Sequence, residues 1–272
     1  MDFHLLTGGP VDGPAAVLLH GFPQNATMWR AVAPALHAAG LRTIAPDQRG
    51  YSPGARPTDP DDYKIELLAG DVLSIMDGCG VDRAHVVGHD WGAVVGWWLA
   101  ARYPARVCTF TAISVPHPRA LTRALFADSD QRERMSHVTL FRNAGKAEEV
   151  LLADRGARLR AMLADSGLPP ADLDRYVTPL LEPGALSGAL NWYRAIDLTD
   201  PLGVGDVVVP TTYLWGEHDI AVGPRAAREC ARYVTAEYRF VPLAGEGHWV
   251  PDRAPDVVAR EVLRRIAGGD PR

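Results

Sequence analysis

In Val86-Val87-Gly88-His89-Asp90-Trp91-Gly92-Ala93 a carboxylate sits between two glycines, where an apolar run gives way to a helix-forming one. A sharp strand-to-helix turn of this kind lifts its central side chain above the carboxyl ends of a sheet, and small neighbours remove the clashes. With Asp90 at the centre, the displayed group is ionised without a base beside it. Such a group can attack a saturated carbon that carries a strained oxygen or a halide. Taken alone, Gly88-x-Asp90-x-Gly92 reads equally well as a tight turn with an aspartate capping a helix. Two later loops tilt the balance. Gly216-Glu217-His218-Asp219 puts an acid just beyond a run ending at Trp215, and Ala244-Gly245-Glu246-Gly247-His248-Trp249 puts a histidine in a glycine-bordered loop. Nucleophile, acid and histidine then follow one another along the chain.

These side chains need a scaffold, and the hydrophobic pattern supplies one. Short Val, Ile and Leu runs predict strands at Ala15 to Leu19, Arg42 to Ala45, Ala84 to Val87, Val107 to Ser114, Thr211 to Trp215 and Tyr238 to Val241. Apolar positions three and four apart predict helices over Thr27 to Ala39, Lys64 to Met76, Trp91 to Tyr103, Pro224 to Val234 and Pro255 to Ile266. The alternation is that of an α/β fold, a doubly wound, mostly parallel sheet. From Pro116 to Pro201 it stops, leaving helical stretches such as Lys146 to Leu152 and Arg158 to Leu163. The expectation is a helical lid, entered at Pro116 and Pro118 and left through Asp200-Pro201-Leu202-Gly203. The core would be residues 1–115 and 206–272, with the cap at 116–205. The final Gly-Gly-Asp-Pro-Arg is expected to fray.

His20-Gly21-Phe22-Pro23, Asp47-Gln48-Arg49-Gly50-Tyr51-Ser52, the Asp90 elbow, Trp215-Gly216-x-x-Asp219 and Gly247-His248-Trp249 occur in this order. Together they resemble the α/β-hydrolase-fold epoxide hydrolases, over almost the whole chain. The resemblance implies that Asp90 forms an alkyl-enzyme ester and that His248, oriented by Asp219, activates water to break it. The backbone N–H groups of Phe22 and Trp91 are then the natural donors to the oxyanion, and the Phe22-Pro23 peptide is expected to be cis. Two lid tyrosines assist ring opening in the family. Ala189-Leu190-Asn191-Trp192-Tyr193-Arg194 resembles the second of these sites, which makes Tyr193 a donor. At the first, Ser136-His137-Val138-Thr139 places His137 where a tyrosine is expected, and a neutral imidazole can donate one N–H. Ordinary packing or capping roles in the lid are the plainer readings of both residues. Phe22, Trp91, Trp192, His20 and Pro23 are expected to line the pocket. One departure lies at the N-terminus, where a strand is expected near Phe3 to Leu6; the family generally has a further strand before it, so the expectation is a sheet one strand shorter or a rudimentary first strand.

Other classes are disfavoured. The chain has 272 residues, 47% hydrophobic and 22% charged, with a formal net charge of -5, which offers no basic footprint for nucleic acid. The dense apolar run Ala93 to Ala101 is too short to span a membrane. Three scattered cysteines and no secretory signal point to the cytoplasm. No paired ligand spacing suggests a metal, and neither a metal nor a cofactor is needed. The partners expected are a small hydrophobic epoxide and water, and the protein is expected to be a monomer or homodimer. A haloalkane dehalogenase would use the same triad, but the asparagine that usually follows His-Gly there is replaced by Phe22. A haloacid version would need arginines that the helix after Asp90 lacks. A biosynthetic α/β-hydrolase with a special substrate remains open, as does a non-catalytic ligand-binding protein, although the latter has no need of all three residues.

Overall fold

In the computed structural model, residues 1–195, 197, 200 and 202–269 are described. Their strands are β1 (Leu5–Gly8), β2 (Ala15–Leu19), β3 (Arg42–Pro46), β4 (Ala84–His89), β5 (Val107–Ile113), β6 (Thr211–Gly216) and β7 (Tyr238–Leu243). They form one sheet in the order β1-β3-β2-β4-β5-β6-β7, parallel throughout except for β1, which pairs antiparallel to β3 at one edge. The N-terminal strand thus lies two residues later than expected. β2, β4 and β6 are buried along their whole length, the mark of strands covered on both faces.

Five helices flank the sheet: α1 (Ala33–Ala38), α2 (Ile65–Gly78), α3 (Trp91–Arg102), then, beyond the long insertion, α10 (Pro224–Glu229) and α12 (Pro255–Gly269); a short α11 (Val250–Arg253) follows the histidine loop. α3 packs on β2, β4 and β5 and against α2, whereas α1 and α12 pack together, α12 reaching β5 and β6. Trp97 of α3 meets Phe110 of β5 edge to face at 4.8 Å, and Trp29, Trp97 and Trp98 are core residues. The continuous helix expected over Thr27 to Ala39 is instead a 3-10 turn, Ala26–Ala31, followed by α1. Pro34 explains the break, because it lacks an N–H and crowds the preceding turn but suits a helix start. Similarly, α10 stops at Glu229 and passes into a 3-10 turn, Cys230–Tyr233.

Between β5 and β6 the chain is helical: α4 (Pro118–Ala127), α5 (Ser129–Arg134), α6 (His137–Phe141), α7 (Lys146–Met162), α8 (Pro170–Leu180) and α9 (Ala185–Ala195). α7 is broken at Ala153 to Gly156, where Asp154 and Arg155 have positive φ, so its two halves fall on the helical stretches read from the sequence. α9 lies against the 3-10 turn Pro60–Tyr63, α6 against α9 and α7 against α8. Pro201 of the exit turn and Asp270-Pro271-Arg272 of the terminus lie outside the described residues.

Candidate active site

Asp90 caps α3 with φ 52° and ψ -120°, a conformation that costs on the order of 1–3 kcal/mol unless the surroundings hold it. Close packing does so. A Cβ on Gly88 would come within 2.3 Å of the Gly92 carbonyl oxygen, and one on Gly92 within 2.2 Å of that of Leu19. The elbow is pressed against β2 and only glycine fits at either side. From β2 the chain turns through His20-Gly21-Phe22-Pro23, with the Phe22-Pro23 peptide cis. A Cβ on Gly21 would lie 2.3 Å from Asp90 Oδ1, so glycine there lets the turn reach the carboxylate. The Phe22 N–H donates to Asp90 Oδ1 at 2.9 Å, and the Trp91 backbone N–H also donates to the Asp90 carboxylate.

The Asp47-Gln48-Arg49 segment braces that turn. The Gln48 N–H donates to His20 Nε2 at 3.0 Å and its side-chain amide to the His20 carbonyl at 2.5 Å. His20 Nδ1 then carries the proton and donates to the Gly21 carbonyl at 3.1 Å. Asp47 Oδ1 accepts from the Ala26 N–H at 2.8 Å, and Arg49 forks onto Asp71 at 2.6 and 2.7 Å. Gln24, one residue past the turn, donates to Asp252 Oδ2 at 2.5 Å, while Tyr176 of α8 donates to Oδ1 at 2.8 Å. The turn, the lid and the helix after His248 thereby share one carboxyl.

His248 Nε2 stands 3.7 Å from Asp90 Oδ2, and its Nδ1 lies 3.0 Å from Asp219 Oδ1. Asp219 is fully buried, and its Oδ1 also accepts the N–H groups of Ala221 and Val222 at 2.8 and 3.0 Å. Sequence reasoning missed Ser114. It follows β5 with φ 68°, donates its hydroxyl to Asp219 Oδ2 at 2.6 Å, and lies 2.8 Å from His248 Nδ1. A serine closing a strand gives no motif, and the one signal is its place beyond the strand next to that of the nucleophile. His89 is a supporting residue. Its Nε2 donates to the His248 carbonyl at 2.9 Å, and burial, then the nearby His248, push it down to about 3, so it stays neutral. His85 pairs with Thr109, and His117 joins the start of α4 to the Gly205 carbonyl.

Burial opposes charge on all three triad members, and their neighbours decide the outcome. Asp90 ends above the usual carboxylate range, burial outweighing the pull of His248 and the two backbone N–H groups. Asp219 ends below it, because His248, Ser114 and the Ala221 N–H overcome burial. His248 ends above the ordinary imidazole value through the charge and hydrogen bond of Asp219, with Asp90 adding to them.

Two cavities meet at Asp90, Tyr193, His137 and Ala221, one also walled by Trp91 and the other by Phe22. The Tyr193 ring packs edge to face on Trp91 at 4.9 Å, Phe141 at 5.0 Å and Phe22 at 5.6 Å. Burial and the Asp90 charge raise its phenol well above the usual value, opposed by a hydrogen bond from the Trp91 side chain.

His137 and part of the pocket need correction. His137 Nδ1 lies 2.9 Å from the Arg134 carbonyl, which can only accept, so the neutral ring carries its proton there. Its Nε2 is then a bare acceptor, and donation from it requires the imidazolium, which burial disfavours. The expected neutral donor is not what this ring presents. Trp192, His20 and Pro23 line neither cavity. Trp192 points down to the core, where its N–H donates to the Arg49 carbonyl at 2.8 Å, and His20 is buried with both ring nitrogens engaged by backbone. Phe141, one helical turn from His137 and 5.2 Å from Phe22, reads in the sequence as ordinary lid core, yet it lines the cavity beside His248.

Residues 14–255 match the family model described as alpha/beta hydrolase fold. The chain is 31% identical to epoxide hydrolase A of Mycobacterium tuberculosis, over 97% of this chain and 94% of that protein. It is 31% identical to mouse epoxide hydrolase 4, over 95% of this chain and 74% of the relative. The crystal structure of epoxide hydrolase A from Mycobacterium thermoresistibile superposes with a TM-score of 0.86 at 29% identity, covering 98% of this chain and 95% of that one. With the elbow, the acid and the histidine loop assembled on this sheet, the chain belongs to the α/β-hydrolase fold family, among its epoxide hydrolases.

Proposed function

We propose that this epoxide hydrolase converts hydrophobic epoxides to vicinal diols through an ester on Asp90. The observation that carries the reading is the division of labour between the two oxygens of that carboxylate. Oδ1 is held by the Phe22 N–H, the Trp91 N–H also donates to the carboxylate, and Oδ2 stands 3.7 Å from His248 Nε2. Oδ2 attacks an epoxide carbon, the C–O bond breaks, and the Tyr193 hydroxyl gives its proton to the departing oxygen. His137 adds a donor only when protonated. His248 then takes a proton from water, which attacks the ester carbonyl, and Oδ1 becomes the oxyanion, with the Phe22 N–H already on it and that of Trp91 beside it. Asp219 stabilises the imidazolium, and Ser114 positions both. Collapse of the tetrahedral species breaks the C–O bond to the substrate, the departing alkoxide takes its proton from the re-formed Asp90 carboxyl to give the diol, and the proton held by His248 returns to the Tyr193 phenolate.

Helices α4 to α9, within the cap proposed over 116–205, supply Tyr193, His137 and part of the pocket walls, and the core halves 1–115 and 206–272 supply the triad and the rest of the walls. Phe22, whose side chain cannot donate, stands where a haloalkane dehalogenase carries its second halide donor, which argues against dehalogenation. No helix among the described residues is long and apolar enough to cross a membrane. Three scattered cysteines with no disulfide between them support a cytoplasmic setting, and a formal net charge of -5 supports action without a nucleic-acid partner; the proposed assembly is a monomer or homodimer. The test is intact-protein mass spectrometry of His248→Gln after exposure to styrene oxide. A gain of the whole epoxide mass, mapped to Asp90, is expected. No adduct, or one elsewhere, overturns covalent catalysis by Asp90.

A further inference from the structure

The turn from Asp219 to Gly223, which begins with the acid of the triad, is bonded to α5 at three points. Gln131 of α5 is fully buried and directs both ends of its amide at this turn. Its Nε2 donates to the Ala221 carbonyl at 2.8 Å, and its Oε1 accepts the Gly223 N–H at 2.9 Å. Arg134, three residues further along α5, donates Nη1 to the Asp219 carbonyl and Nε to Asp130 Oδ2 at 2.8 Å. The missing side chain of Gly223 makes room for this docking, since a Cβ there would lie 2.8 Å from Asp130 Oδ2. From its other side the same turn holds the carboxylate, the N–H groups of Ala221 and Val222 donating to Asp219 Oδ1 at 2.8 and 3.0 Å.

Resting on the ester mechanism above, we propose that Gln131 and Arg134 are positioning residues for ester hydrolysis, holding the turn that aims Asp219 at His248. The helical insertion that supplies Tyr193 for ring opening thereby also governs how firmly the triad is held for the second step. The link is the planarity of the peptide unit, whose C=O and N–H turn together. In the unit joining Ala221 to Val222, the C=O is fixed by Gln131 and the N–H is the one that holds Asp219 Oδ1. In the next unit the C=O accepts from the Trp215 indole at 3.0 Å and the N–H donates to Gln131. Without the amide, the Ala221 carbonyl and the Gly223 N–H lose their partners, and a buried backbone group left in that state is costly enough to rotate the unit. Asp219 is thus held from two directions, Oδ2 by Ser114 at the end of β5 and Oδ1 through the turn by α5.

The test follows the Asp90 ester by rapid-quench mass spectrometry, with styrene oxide and the full chain, in Gln131→Met, Arg134→Met and Arg134→Lys. Gln131→Met keeps the size and charge of the side chain but neither hydrogen bond. Its ester should form within about twofold of the native rate, because attack by Asp90 moves no proton to His248. Decay of the ester should be about tenfold slower, the worth of one net hydrogen bond. The rise of decay with pH should also move down toward the ordinary imidazole value, since a less well held Asp219 favours the imidazolium less. Besides Asp219, the titratable groups facing His248 are Asp90, His89 and His137, and the variants alter none of them. Arg134→Met should share the defect, and Arg134→Lys, which keeps a donor for the Asp219 carbonyl, should recover most of it; one variant that fails to fold leaves the other position to decide. Native decay with an unmoved pH profile, or equal slowing of both steps, overturns the positioning role and leaves the ester mechanism standing. No ester on Asp90 in the native protein or in His248→Gln overturns both.

Discussion

Replacing Ser114 by alanine should slow hydrolysis of the ester while sparing its formation. Asp219 Oδ1 has His248 and two backbone N–H groups, whereas Oδ2 has the Ser114 hydroxyl at 2.6 Å. A hydrogen bond to a buried charge is worth about 1.5–3 kcal/mol. Without it the carboxylate can rotate, and Nδ1 also loses the serine oxygen 2.8 Å away, so the imidazolium that forms as water is deprotonated is less well held. Taking about 2 kcal/mol of that loss into the barrier slows hydrolysis about thirtyfold. Attack by Asp90 Oδ2 transfers no proton to His248, so ester formation should stay within about twofold. Rapid-quench mass spectrometry resolves the steps, since the Asp90 ester should appear at the native rate and decay slowly. Ser114→Gly controls for backbone strain: it lacks the hydroxyl but adopts φ 68° freely, and should share the kinetic defect without losing more stability than the alanine variant. Equal slowing of both half-reactions, or of neither, refutes the positioning role.

Hydrolysis of the trapped ester should rise with pH through a pKa above the ordinary imidazole value, because His248 must be neutral to accept a proton and Asp219 holds its charged form; single-turnover decay from pH 5 to 9 reads this, and a flat profile contradicts it. His137→Tyr should speed ester formation severalfold at pH 8 by adding an O–H donor that the neutral imidazole lacks, whereas His137→Phe should change it less than twofold at that pH; a large loss in the latter shows that the native ring does donate. Asp252, pushed up to about 6 mainly by burial, binds more protons folded than unfolded, so its penalty on stability develops as pH rises from about 4 to 6 and persists above. Asp252→Asn escapes that penalty, since a flip of the Gln24 amide can still pair with it, and its melting temperature should exceed the native one by a few degrees at pH 8 and by less at pH 5; the reverse order contradicts the assignment.

What the sequence discloses depends on whether a residue acts through its local frame or through a distant partner. Asp90, Asp219 and His248 each follow a strand at a glycine-marked turn, so type and frame are written side by side. The same holds for the Phe22 turn, whose Gly21 must lie against Asp90. Ser114 has a function only because β5 lies next to β6, and that adjacency brings it to Asp219 across 105 residues of chain. Trp192 and Tyr193 show the limit within one helix. Their neighbouring positions point about 100° apart on α9, so one side chain reaches the catalytic cavity and the other the Arg49 carbonyl. The motif includes both and cannot say which turns inward without the docking of α9 on the turn Pro60–Tyr63.

The strain at the elbow and the direction of catalysis are one arrangement. If φ at Asp90 relaxed to an ordinary helical value, the carboxylate would swing away from the Phe22 N–H, and its two oxygens would become equivalent. Attack and ester cleavage demand that they differ, one oxygen free toward the epoxide and the other already bound where negative charge will appear. The glycines at 21, 88 and 92 impose that difference by steric exclusion alone, through close approaches of 2.2–2.3 Å for a Cβ at each. An alanine at any of them should therefore damage both half-reactions together, by moving the carboxylate, and so be separable from Ser114→Ala, which reaches the second half-reaction only.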